Sequence, residues 1–246
     1  MEKISWEIRF GILLVTVSLI LYLINFFVYR DIGDILLWLL KSLAFLPISI
    51  LFVTLIVNRL LIKRGKKISL EKLNLLIGIF FSEVGKTLLE FFSDWDPELD
   101  KIKEELVIET DWTNEEFEKV NISLRKHKYE IDFSKIDLQN LRSFLIKKHD
   151  FLLRLLENPN TLEHEFFTDV LWAVFHLAEE LEGRKKIKQI SEKDNIHITK
   201  EIKRIYSMLV FEWVDYMFYL SKNYPYSFSL AMRTNPFDEN ASIEYS

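Results

Sequence analysis

Titratable side chains suited to metal or proton chemistry concentrate in two stretches. The first, HEFFTDVLWAVFHLAEEL from His164 to Leu181, sets two histidines and several carboxylates among phenylalanines and a tryptophan. At about 100° per residue on a helix, Glu165, Thr168, Asp169, His176, Glu179 and Glu180 share one face roughly 120° wide, opposite Phe167, Val170, Val174 and Leu181. His176 and Glu179, at i and i+3, point the same way, as metal-binding pairs in helical bundles require. A plain amphipathic helix with one wet side gives the same pattern. Trp172, within the polar stripe, implies that this face is partly covered. His164 falls at the edge of the apolar side and reads as a packed or hydrogen-bonded histidine rather than a ligand.

The second stretch is IYSMLVFEWVDYMFYL, Ile205 to Leu220, apolar all round except at Glu212 and Asp215. A buried, unpaired carboxylate costs several kcal/mol or takes up a proton, so these acids require partners; Arg154, Lys147, His149, Arg204 and His176 are candidates. His176, Glu179, Glu180, Glu212 and Asp215 therefore form the candidate set for a divalent metal, against a leading expectation of structural pairing with no cofactor. No glycine-rich phosphate loop, nucleophile elbow, His-Glu-x-x-His or EF-hand pattern is present, so no catalytic residue is assigned. The chain has no cysteine, which removes disulfides, thiolate nucleophiles and Cys-based metal centres. A formal charge of −5 argues against a nucleic-acid partner, which requires a basic face.

The elements that must position these residues divide sharply by polarity. Six Gly and five Pro in 246 residues are too few for a turn-rich β architecture, and Leu, Ile, Phe, Lys and Glu dominate, so the fold class is all-α. Phe10 to Tyr29 is twenty residues without a charge, about 30 Å of helix and the thickness of a bilayer core. After the short link Arg30 to Asp34, a second apolar run crosses again over about 35–58. The link is too short for a pore loop, leaving an antiparallel hairpin over residues 1–62. Trp6, Tyr29 and Trp38 stand where aromatic residues anchor at the interface. Asn25 and Lys41, about eight residues either side of the turn, share a depth; they form either a polar path in oligomerised hairpins or a snorkelling pair. Pro47 is expected to kink the second span.

Basic residues fix the orientation. Arg59, Lys63, Arg64, Lys66 and Lys67 follow the second span, and Lys3 and Arg9 precede the first, against a lone Arg30 in the turn. Both termini are expected in the cytoplasm, with residues 63–68 as a basic linker at the anionic inner leaflet of the cell membrane. A helical bundle is expected over 69–223, built from helices at 70–92, 136–157, 161–182 and 199–223. Ser69 and Asn160-Thr161 read as helix caps, Thr113 with Glu116 as a capping box, Tyr129 to Phe133 as an extended connector, and Gly183 to Thr199 as a charged connector. Residues 224–246 carry too many large apolar side chains to be left in water and are expected to dock on the bundle or on a neighbour.

The segments LENPNTLEHEFFTDVLWAVFHLAEEL and NYPYSFSLAMRTNPFD resemble those of an uncharacterised group of prokaryotic membrane proteins with two N-terminal spans and a cytoplasmic helical region. The resemblance implies that architecture and brings no activity, cofactor or catalytic residue. Taken together, the sequence predicts a non-enzymatic, homo-oligomeric membrane protein whose cytoplasmic module binds a protein partner or senses a condition. Transport through assembled hairpins and a metal-dependent bundle enzyme are the alternatives.

Overall fold

The computed structural model describes residues 13, 15–21, 23, 24, 27, 32–184 and 190–244; the side chains of 32, 34, 35 and 63–67 are outside this description. All regular structure among the described residues is helical, in agreement with the composition. The chain forms two compact units, Met1–Gly65 and Lys66–Ser246.

In the first unit the described residues of the expected first span are helical and exposed. The rest of that span, including Asn25 and Tyr29, lies outside the described residues, as do Lys3, Trp6 and Arg9. Helix α1, Ile32–Phe80, begins inside the expected link and contributes to both units. Among the described residues one helix, Leu36–Ile62, is long and apolar enough to cross a membrane, and none of its most apolar window is buried by protein. Lys41 and Arg59 are exposed on it. Pro47 sits inside α1, where it forgoes one backbone donor.

In the second unit α1 continues through Ser69, which is therefore not a cap; its hydroxyl bonds the Glu163 carboxylate instead. The flanking lysines and leucines are good helix formers, and their preference outweighs one capping serine. A π turn, Phe81–Gly85, then separates α1 from α2, Lys86–Trp95. The wider turn changes the helical phase, so the consecutive Phe80 and Phe81 are both buried. Gly85 makes room for this: a Cβ there would lie 2.5 Å from the Phe81 ring. Phe81 in turn meets Trp213 edge-on at 5.1 Å and stacks on Tyr216 at 5.5 Å, and Phe80 meets Phe167 at 5.5 Å.

A short 3-10 turn and α3, Lys103–Leu106, lead to α4, Asn114–Lys126, which starts with the Thr113–Glu116 capping box. An extended segment with no strand partner among the described residues follows, tied to the end of α2 by Asp132 N–H donating to Trp95 O at 2.9 Å. Helix α5, Leu138–Leu156, is capped by Asp137, and α6, Glu165–Gly183, by His164, whose Nδ1 accepts from Phe167 N–H at 3.1 Å. His164 takes the capping place expected of Asn160-Thr161: the residues before it form turns, and His164 has the extended backbone a cap requires. Helix α7, Glu192–Asn223, starts a full two turns before the expected residue 199, capped by Ser191. From Glu192 onward the stretch read as a charged connector is thus helix, with Glu192, Lys193 and Asp194 on its first turn.

The core is one cluster drawn from all of α1 to α7, with Phe80, Leu88, Leu106, Leu145, Phe167, Tyr206 and Trp213 among its fully buried members. After Asn223 a short helix α8, Pro225–Arg233, takes Pro225 at its first position, where the missing N–H is no loss. Phe228 and Phe237 are buried against the unit, and Asn235 Nδ2 donates to Leu106 O at 2.8 Å. Asn235 Oδ1 accepts from Phe237 N–H at 3.1 Å, the Asn-Pro turn that the sequence favours.

Candidate functional site

The face of α6 that carries the first candidate set is open. His176 and Glu179 are exposed, and Trp172 is 54% exposed, so the tryptophan does not lie beneath a cover formed by the described residues. Glu180 is different. It accepts from Arg184 Nη2 at 2.5 Å and lies 3.2 Å from His197 Nε2, while Arg184 also pairs with Asp194 at 3.0 Å. Burial raises the Glu180 pKa, but Arg184 and His197 together hold it below the ordinary carboxylate range. These pairs join the end of α6 to the start of α7, a structural task that the late helix boundary expected from the sequence concealed.

Glu212 and Asp215 are separated by their surroundings. Glu212 is 3% exposed, and its carboxyl is pushed up to about 8 by burial and then by the charge of Asp215. Asp215 is exposed and accepts from Asn121 Nδ2 of α4 at 3.2 Å. Among the described residues no ion pair or hydrogen bond joins Glu212 to Arg154, Lys147, His149, Arg204 or His176; Arg204 pairs with Glu201, and His149 with Asp150. The expected cationic partner is replaced by a proton: at neutral pH the Glu212 carboxyl is chiefly uncharged, which is how an unpaired acid tolerates burial. Nor does the fold gather the metal candidates. Among the described residues no group of three or more His, Cys, Asp or Glu is arranged to hold a metal ion.

A third polar cluster, outside the candidates the sequence offers, lies inside the second unit. Asp96 ends α2, His127 ends α4, Tyr129 belongs to the extended segment, and Tyr206 comes from α7. The Asp96 and His127 side chains are 0% and 6% exposed, with Oδ2 and Nε2 4.0 Å apart, too far for a hydrogen bond. The His127 and Tyr129 rings meet edge-on at 4.8 Å, and those of Tyr129 and Tyr206 at 5.3 Å. Burial raises the Asp96 carboxyl to about 6 against the opposing pull of His127, and lowers His127. Burial also raises both phenols. The signal was present in HKYEIDF: His127, Tyr129 and Ile131 alternate inward while Lys128 is exposed and Glu130 bonds Lys128 and Lys203 at the surface.

Two family models match the chain: the N-terminal helical domain of MJ1433 over residues 2–61, and the C-terminal helical domain of the uncharacterized protein MJ1433 over residues 69–233. The uncharacterized protein MJ1433 of Methanocaldococcus jannaschii is 40% identical over 233 residues, 95% of this chain and 94% of its own length. No solved structure matches. With both helical domains matched and the identity sustained along nearly its whole length, the chain belongs to the MJ1433 family.

Proposed function

We propose that this protein is a membrane-anchored, homo-oligomeric helical module, non-enzymatic, that binds a protein partner or senses a condition at the cytoplasmic face. The observation that carries the reading is Leu36–Ile62: 27 residues, about 40 Å of helix, with none of their most apolar window covered by protein. Water does not tolerate such a surface, and a bilayer core about 30 Å thick takes it with some tilt. The first apolar run supplies the second span of a hairpin. The basic residues Arg59, Lys63, Arg64, Lys66 and Lys67 at its end support cytoplasmic termini and contact with an anionic inner leaflet. Exposed Leu75 and Ile79, beside a groove of about 250 Å³ bordered by Tyr216 and Tyr224, support a further contact through the second unit.

The cysteine-free sequence makes topology directly measurable with single substitutions. Gly33→Cys in the turn should react with an impermeant maleimide added outside intact cells, and Tyr226→Cys only after permeabilisation. Labelling of Tyr226→Cys in intact cells, or release of the protein by alkaline carbonate, contradicts the reading. Lys41, exposed on the candidate span, favours transport as the second reading. Ion flux in liposomes left unchanged by Lys41→Ala would remove its basis.

A further inference from the structure

Four buried polar side chains from α2, the 127–132 segment and α7 lie in one chain of contacts, Asp96 beside His127, His127 beside Tyr129 and Tyr129 beside Tyr206, and present Asp96 Oδ2, His127 Nε2, Tyr129 Oη and Tyr206 Oη. Each is shielded from solvent; among the described residues His127 Nε2, Tyr129 Oη and Tyr206 Oη have no hydrogen-bond partner, and Asp96 Oδ2 has none of good geometry, although the Glu130 N–H also reaches this carboxylate. Their residues are at most 6% exposed as measured for Asp96, Tyr129 and Tyr206, and the His127 side chain is equally covered. One orphaned buried atom is tolerable, but four in one place would each carry an unrelieved desolvation cost. The 4.0 Å separation of the carboxylate and imidazole is too long for a direct bond and suits a bridge through a third atom. We propose that Asp96, His127, Tyr129 and Tyr206 form a binding site for a single internal water molecule, which fastens the end of α2 and the 127–132 segment to α7.

The donor count closes. The water donates to Asp96 Oδ2 and to one tyrosine oxygen, and accepts from His127 Nε2–H and from the other tyrosine hydroxyl, four bonds in all, the upper end of what internal waters make. This sets the imidazole tautomer with its proton on Nε2. Asp96 Oδ1 accepts from Glu98 N–H at 2.8 Å and the carboxylate also accepts a backbone bond from Glu130, which leaves a lone pair of Oδ2 for the water. The charged groups around it are Lys203 and Glu130 beside Asp96, and Lys101 and Glu105 beside His127. Glu105 also borders a surface cavity of about 310 Å³ with Trp112 and Lys119. The site is independent of the membrane reading, because all of its residues lie in the second unit.

The test is the sign of two conservative changes in the full-length protein in detergent. If a water bridges the four groups, Tyr129→Phe and Tyr206→Phe each remove one bond and lower the unfolding midpoint by about 2–4 °C, the double variant by less than the sum. If the hydroxyls are truly unbonded, replacing either by hydrogen relieves a cost, so an unchanged or raised midpoint overturns the proposal. A high-resolution crystal structure of the wild-type chain decides the case where a variant fails to fold. An oxygen within about 3.2 Å of at least three of the four atoms is expected. A dry site, or hydroxyls bonded directly to the carboxylate, overturns it.

Discussion

The wet face of α6 and the interior cluster at Asp96 use the same residue types to opposite ends. On α6, His176 and Glu179 stand in solvent, and Glu180 is held by Arg184 and His197. Inside, Asp96, His127, Tyr129, Tyr206 and Glu212 are enclosed, and none has a full ionic partner. Surroundings, and not residue type, decide the protonation state: cations lower Glu180, whereas burial raises Asp96 and Glu212. A metal-like pattern on a helix is therefore poor evidence of a site when its face is wet. The interior groups that matter are found by asking which polar side chains lost water without gaining a partner.

The largest expected effect tests the interior side of this contrast. Tyr206→Ala empties a fully buried position and should cost about 3–5 kcal/mol in denaturant unfolding; a cost below ~1 kcal/mol would mean that the site is not packed. Next in size is the pH dependence from Glu212. Its folded-state pKa is raised, so the stability it contributes is fully present below the unfolded value near 4.5 and is lost as pH rises through about 8. Over that window stability should fall by up to ~1.4 kcal/mol per pH unit, and Glu212→Gln should flatten the slope; an unchanged slope in the variant would place the titration elsewhere.

Glu180 runs the other way. Its folded pKa is depressed, so its contribution is present above the ordinary carboxylate range and is lost on acidification. Glu180→Ala should cost about 1 kcal/mol at neutral pH and progressively less in acid, as read by unfolding at matched pH values. The smallest effects belong to the open face: His176→Ala and Glu179→Ala should each stay within about 0.5 kcal/mol. A larger loss for either would show that a partner covers that face.

Much of the helical plan could be read in advance because α5, α6 and the later part of α7 bury residues at helical spacing, and the Thr113–Glu116 box marks the start of α4 without ambiguity. Boundaries were harder. Ser69 carries the side chain of a cap but not the backbone of one, and Ser191 gives no clear signal as a cap because the charged turn after it has no apolar stripe. The π turn at Phe81–Gly85 has no period of its own in the sequence. Glu212 was recognised as an anomaly, yet its answer, a proton in place of a cation, depends on which side chains α2 and α4 bring near α7. The Asp96 cluster joins residues from three elements and one extended segment far apart in the chain, so only the inward alternation of His127, Tyr129 and Ile131 pointed to it.

The measurement closest to the central claim is alkaline carbonate extraction of the full-length chain from cell membranes, followed by detergent. The apolar surface of Leu36–Ile62 predicts a protein that stays in the pellet at high pH and is released only when detergent replaces lipid. Recovery in the carbonate supernatant would contradict membrane anchoring and leave that surface to be covered by another protein.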